Sequence, residues 1–325
     1  MTNIEAAYEL AAEDLQAVEH ELKKNIESSV ELIPTIGSHI LASGGKRFRP
    51  LILILSARAC GYKGKVHISL SCVLEFIHTA TLLHDDVVDN AAIRRGNSSA
   101  HTIWGNQASI LVGDFFFSQA FSLIARADNW RVLTILTEAS SKLAQGEILD
   151  LVKEMDAECT EEEYLSIVNY KTASLIEAAS HIGAILGGAD GGKEEAMRNY
   201  GYNVGIAYQY MDDTLDYVST EEEFGKTIGK DLRDGKITLP LIYALRSSSP
   251  EDRDSLVAAI EDDSLTEKEV ARVVALITKY QGLEYAGEKA RYYAREAKAC
   301  LRAIPDSPWK EALLTVADYA VRRRS

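Results

Sequence analysis

From Leu51 to Leu239 the chain contains no proline; its six prolines stand at 34, 50, 240, 250, 305 and 308. Through this stretch Leu, Ile, Ala and Val recur at three- and four-residue intervals, the spacing of one face of a helix, and no strand-like alternation interrupts it. The expected fold is therefore all-α. Breaks are expected at GYKGK (61–65), RGNSSAHTIWGN (95–106), GGADGGK (187–193) and STEEEFGKTIGKDLRDGK (219–236), each rich in Gly or polar turn residues. None reads as a long linker and no fixed repeat is present, so residues 1–325 are expected to form a single large helical-bundle domain.

Composition narrows the function. A formal charge of −14 opposes nucleic-acid binding and adhesion to anionic lipid, both of which need a basic surface. Cys60, Cys72, Cys159 and Cys300 are far apart, with no zinc-like spacing, and read as reduced thiols of a cytoplasmic protein. The N-terminus is acidic and amphipathic, unlike a signal peptide. No uninterrupted apolar run reaches the roughly 18 residues of a membrane span; any membrane contact, for instance during product release, is expected to be peripheral.

The segments SLSCVLEFIHTATLLHDDVVD and MRNYGYNVGIAYQYMDDTLDYV are apolar nearly all round before ending in acid, as helices at the centre of a bundle do. Asp85, Asp86 and Asp89 form one DDxxD cluster; Asp212, Asp213 and Asp216 form another. Positions i, i+1 and i+4 of a helix share nearly one face, so each cluster gathers its carboxylates into a small volume. Two such charges about 4 Å apart repel by roughly 4 kcal/mol at an effective dielectric near 20. Hard divalent ions offset that repulsion, and Mg²⁺ in particular combines one or two carboxylates with water and phosphate oxygens. A lone DDxxD could equally be a charged helix end facing water; two copies, each following apolar helical sequence, favour a metal-bridged diphosphate site.

Cationic groups accompany both clusters. Lys46, Arg47 and Arg49 follow Gly44 and Gly45 in GGKRFRP, Arg94 and Arg95 follow the first cluster, and Lys226, Lys230 and Lys236 follow the second. Glycine admits close backbone approach, and Lys and the forked guanidinium suit phosphate oxygens. A solvated charged turn is the commoner origin of such a run taken alone.

GGKRFRP, LLHDDVVDNAAIRRG, YKTASL, YQYMDDTLDY and GKDLRDGKITLP together resemble the trans-isoprenyl diphosphate synthases, in register from about residue 10 to the C-terminus and closest to bacterial octaprenyl diphosphate synthases, which make quinone side chains. The resemblance implies that Lys46, Arg49, His78 and Arg95 bind the diphosphate of isopentenyl diphosphate. It implies that Asp85, Asp89 and Asp212 ligate Mg²⁺, three ions with substrate bound, and that Asp86, Asp213 and Asp216 support them. Arg94, Lys171, Gln209, Lys226 and Lys236 would contact the allylic diphosphate, with Thr172 beside the reacting carbons and Tyr208 near the homoallylic substrate. Farnesyl diphosphate is the implied starter and a homodimer the implied assembly. NAAI after Asp89 replaces a more polar spacer.

Ala80 and Thr81 lie five and four positions before Asp85, about one turn deeper. In the family a bulky aromatic there blocks the growing tail, so two small residues imply an open tunnel and a long product near octaprenyl; close helix packing is the alternative reason for them. Each isoprene unit adds up to about 4 kcal/mol of apolar burial at roughly 0.8 kcal/mol per buried methylene. Ile135 and Leu136, in the apolar run LTILTEASSKL, are candidates for the tunnel floor. Other readings are a geranylgeranyl diphosphate synthase, or a non-catalytic partner subunit, which would be expected to have lost ligands. Glu75 and His78 give an ExxH spacing, but the second ExxH that a di-iron bundle needs is missing, and His84-Asp85 as a phosphohydrolase pair leaves the second DDxxD unexplained.

Overall fold

The computed structural model describes residues 4–42, 45–94, 96–218, 229–262 and 264–322. The chain runs through α1 (Ile4–Leu10), α2 (Ala12–Asn25), α3 (Leu32–Ala42), α4 (Phe48–Ala59), α5 (Val66–Val88), α6 (Ala100–Trp104), α7 (Asn106–Arg126), α8 (Trp130–Lys153) and α9 (Glu161–Val168). A π-helical turn (Asn169–Ala173) leads into α10 (Ser174–Leu186) and α11 (Gly191–Asp216). Then come α12 (Lys230–Arg233), α13 (Leu239–Ser247), α14 (Pro250–Ile260), α15 (Glu267–Lys279), α16 (Gly282–Cys300) and α17 (Pro308–Arg322). The fold is all-α.

The prolines mark where helices begin. Pro34, Pro50, Pro240, Pro250 and Pro308 each occupy one of the first three positions of a helix, where the missing N–H has no intrahelical partner to lose. Side-chain caps fix other starts. Thr160 and Glu163 form a capping box at α9, Thr266 and Glu269 another at α15, and Asp190 accepts from the Lys193 N–H at α11.

Three features depart from the sequence reading. The break at 95–106 contains α6 and half of a small antiparallel hairpin, β1 (Ile93–Arg94) on β2 (Asn97–Ser98), with Ile93 opposite Ser98; two residues per strand are too few for any alternation to be visible. A further break separates α8 from α9 around Met155, whose φ is positive. Finally, α5 and α7 are long and apolar enough, by length and composition, to cross a membrane, although no unbroken apolar run exists in either. For α5 the reason is internal, since most of its surface is buried against the rest of the molecule.

Two apolar clusters organise the helices. The larger gathers α4, α5, α7 and α10 around Leu51 to Leu55, Phe76, Phe116 and Ile182; the smaller surrounds Tyr164, Tyr210, Tyr217 and Leu241. α5 packs along α7, and α11 along α10 and α16. The π turn packs on both α8 and α11.

Candidate active site

The two acid clusters meet through one lysine. Lys236 Nζ lies 4.0 Å from Asp89 Oδ2 at the end of α5, and its strongest electrostatic neighbour is Asp231, which itself stands beside Asp213 and Asp216 of the second cluster. Burial works against the Lys236 charge, yet Asp231 and Asp89 outweigh it and raise its pKa. On the first cluster Asp86 is almost fully buried and accepts from Arg94 Nε at 2.5 Å. Its other oxygen, Oδ2, is buried with no hydrogen-bond partner among the described residues. Asp85 is pushed up to about 7, chiefly by burial and then by Glu147.

The second cluster is tied more tightly. Asp213 accepts from the Tyr164 hydroxyl at Oδ2 and from Gln209 Nε2 at 2.6 Å on Oδ1. Burial, with Asp212 adding, nevertheless pushes its pKa up to about 7 against those two hydrogen bonds. Asp216 accepts from the backbone N–H of Asp231 at 3.0 Å, which anchors the start of α12 to the end of α11. Asp231 is itself raised well above the carboxylate range by burial and by Asp213 and Asp216.

Between the clusters sits the π turn. Here the Ser174 N–H reaches back five residues to the Asn169 carbonyl, a widening of the helix that recurs at functional sites. It carries Lys171 and Thr172. Lys171 Nζ donates to Asp150 Oδ2 at 2.5 Å and lies 2.7 Å from Glu147 Oε2. Burial lowers its pKa, but the two acids raise it by more, so the ammonium is firmly charged. Thr172 Oγ1 donates to Gln209 Oε1 at 2.8 Å. A continuous chain of hydrogen bonds thus runs Thr172, Gln209, Asp213, Tyr164.

Two glycines admit this turn. A Cβ on Gly146 of α8 would stand 2.8 Å from the Lys171 nitrogen, and one on Gly205 of α11 would stand 2.5 Å from Ala173 Cα. The π turn is held between α8 and α11 at distances that only glycine allows.

The basic turn before α4 lies alongside. Lys46 Nζ donates to the Tyr319 hydroxyl at 2.7 Å and sits 5.4 Å from that ring's centroid, while the Tyr8 hydroxyl donates to the Lys46 carbonyl. Phe48 packs on Tyr208 at 5.0 Å and on Tyr319 at 6.5 Å, so the predicted Tyr208 does adjoin this turn. Arg49 is half-buried. His78 lines a pocket with Arg47, Glu75, Asp86 and Arg94.

Arg47 departs from the sequence reading. Instead of joining Lys46 and Arg49 as a phosphate-facing cation, it turns inward, pairing with Glu19 and, at 2.9 Å, with Glu75. Its backbone is left-handed, with φ 43°, a conformation costing an ordinary residue roughly 1–2 kcal/mol. Lys230, too, is spent locally on Asp234 of its own helix. Arg95, Lys226, Gly44, Arg323 and Arg324 lie outside the described residues.

The positions predicted from the sequence to face the tail divide. Thr81 shares the face of Asp85 four residues on and is partly exposed; Ala80 is fully buried, in phase between Phe76 and His84. Those two reach α7: Phe76 stacks on Phe116 at 5.3 Å, and His84 Nε2 lies 3.1 Å from the Ile110 carbonyl. On α8, Leu136, Leu143, Glu147 and Asp150 recur at spacings of seven, four and three, so Leu136 lies on the face that carries the Lys171 acids, three to four turns deeper. Leu136 is fully buried and Ile135 partly so.

Sequence reasoning missed Glu147, Asp150, Tyr164, Asp231 and Tyr319. The acids of QGEILD, spaced i and i+3 in an apolar helix, carried a signal that went unread; the tyrosines carried none, because only the tertiary fold brings them to the site.

All candidate metal donors here are carboxylate oxygens, which suit a hard divalent cation. The orphaned Asp86 oxygen and the raised Asp85 and Asp213 fit such a cation, whose charge would relieve each. Among the described residues no group of three or more Asp, Glu, His or Cys side chains is arranged to hold a metal ion.

A family model described as polyprenyl synthetase matches residues 30–277. The octaprenyl diphosphate synthase of Escherichia coli K12 is 40% identical over 321 residues, 99% of each chain. The all-trans-nonaprenyl-diphosphate synthase (geranyl-diphosphate specific) of Rhodobacter capsulatus is 36% identical over 313 residues, 96% of this chain and 95% of that one. Among solved structures, a polyprenyl synthase of Caulobacter crescentus CB15, complexed with calcium and isoprenyl diphosphate, superposes with a TM-score of 0.95 at 42% identity, covering 99% of this chain and 98% of the other.

Proposed function

From the premise that this chain belongs to the polyprenyl synthetase family, we propose that it is a Mg²⁺-dependent trans-polyprenyl diphosphate synthase that extends an allylic diphosphate, preferably farnesyl diphosphate, with isopentenyl diphosphate to about octaprenyl length. Prenyl transfer itself follows from relatives that match end to end. The observation that carries the rest is the meeting of two DDxxD clusters around Lys236 and the π turn.

Asp85, Asp89 and Asp212 would hold the Mg²⁺ ions, with Asp86, Asp213 and Asp216 supporting them. Mg²⁺ bound there would supply positive charge to offset the negative charge developing on the departing diphosphate. Lys171, Lys236 and Arg94 hold the same leaving group from the protein side, and because their own acids fix them they need no reorganisation as the charge grows. Lys46, Arg49 and His78 seat isopentenyl diphosphate across from it. The allylic C–O bond breaks, the isopentenyl double bond attacks the allylic carbon, and a proton leaves to the diphosphate, so no side-chain nucleophile is required.

The small Ala80 and Thr81 and the likeness to octaprenyl and nonaprenyl synthases support a long product, with quinone side chains as its destination. Exposed Leu111 and Phe121 on α7, and Trp130, Ile148 and Leu151 on the adjoining α8, support a homodimer paired through this apolar face, and the protein is proposed to act in the cytoplasm. One polyprenyl synthetase domain accounts for the whole chain.

Incubation with Mg²⁺, farnesyl diphosphate and labelled isopentenyl diphosphate, followed by dephosphorylation and separation by chain length, tests the proposal. A ladder ending near octaprenyl is expected. A stop at geranylgeranyl would overturn the product length, and no incorporation with any allylic starter would overturn the catalytic reading in favour of a partner subunit.

A further inference from the structure

Glu75 and Arg47 have no place in the reaction just described, yet they are among the most deliberately placed charges in the molecule. Glu75 is nearly fully buried in α5, ten residues before Asp85 and three before His78. A carboxylate there needs a partner, and it finds one in Arg47, at 2.9 Å. Arg47 also pairs with Glu19 of α2 and donates through Nη2 to the Leu41 carbonyl at the end of α3. One guanidinium therefore joins α2, α3 and α5 to the turn that precedes α4.

The backbone of that turn explains why the link matters. Arg47 takes a left-handed φ of 43° where glycine is the usual occupant. A strained conformation of this kind persists only where its surroundings over-determine it. Here the side-chain fork supplies the constraint on one side, and the Tyr8 hydroxyl on the Lys46 carbonyl supplies it on the other. The left-handed residue lies between Lys46 and Arg49, so it sets the relative aim of those two cations. Glu75, one turn before His78 on the same face of α5, registers that pair against the third group of the proposed isopentenyl diphosphate site.

We propose that the Glu19–Arg47–Glu75 ion-pair bridge is a positioning device for isopentenyl diphosphate, holding the Lys46 and Arg49 turn in register with His78 on α5. The inference rests on the reading of this site given above. Lysine at 47 would keep the charge but lose the fork, and so could not reach Glu19, Glu75 and the Leu41 carbonyl together.

The test uses the full-length protein with Mg²⁺, farnesyl diphosphate and isopentenyl diphosphate, together with thermal melts of each variant. Glu75→Gln is expected to raise the KM for isopentenyl diphosphate about tenfold, with kcat and the KM for farnesyl diphosphate within about twofold of the parent. Arg47→Lys is expected to give an intermediate, equally selective rise. Should Glu75→Gln not fold, Glu19→Gln, which leaves the buried pair intact, is expected to give the same selectivity at about threefold. Variants that melt like the parent and show an unchanged KM for isopentenyl diphosphate, or equal losses for both substrates, would overturn the positioning role. A parent protein inert with every allylic starter would instead overturn the underlying assignment.

Discussion

Asp85 and Asp213 are carboxyls that burial has pushed up to about 7. In the metal-free protein each holds its proton between about pH 4 and 7, where the unfolded chain has released it. Folding therefore takes up protons over that window, and stability falls as pH rises through it. A divalent cation binds the deprotonated form and adds stability according to its concentration over its dissociation constant. Thermal melts with and without Mg²⁺ are expected to show a larger increase in Tm at pH 8 than at pH 5.5; an equal increase at both would mean that metal binding does not draw on the ionisation of these carboxyls. The DDxxD residues themselves were legible in the sequence, because helical periodicity alone gathers i, i+1 and i+4. Which oxygen each presents was not, since Tyr164 and Arg94 arrive from other elements.

At the scale of elements, the π turn Asn169–Ala173 is the piece that periodicity could not reveal: one extra residue within a helix leaves the apolar pattern on both sides intact. Its dependence on neighbouring glycines is testable. Gly205→Ala places a methyl 2.5 Å from Ala173 Cα, and overpacking of that kind costs about 1–3 kcal/mol. The variant is expected to melt lower and to lose proportionately more kcat than stability, because Thr172 and Lys171 move with the turn; a change in Tm with kcat preserved would count against this. On α5, Thr81 is the cleaner of the two tail-facing positions, since Ala80 is enclosed near α7 and a large residue there also strains the packing. Thr81→Phe is expected to truncate products toward farnesyl or geranylgeranyl length, read from the same product ladder. Unchanged long products would move the limit elsewhere, with Leu136 and Ile135 the next positions to replace by Ala.

For the whole molecule, the apolar side chains exposed on α7 and α8 form the proposed pairing face. Leu111→Glu, at a position 66% exposed, is expected to leave the monomer fold intact while shifting sedimentation from dimer to monomer. A parent chain that sediments as a monomer would remove the pairing face from consideration. The amino-acid sequence by itself determined that the chain is helical, that breaks fall near residues 61–65 and 187–193, and which two helices carry the acid clusters, because proline avoidance, apolar periodicity and i, i+4 geometry are properties of a chain segment and its neighbours. Only the tertiary structure decided that Arg47 turns away from the phosphate-facing cations, that Lys236 spans both clusters, and that Lys171 is fixed by Glu147 and Asp150. Each of those outcomes depends on which of several similar charges becomes buried beside which, and pairing across residues remote in sequence is settled by packing.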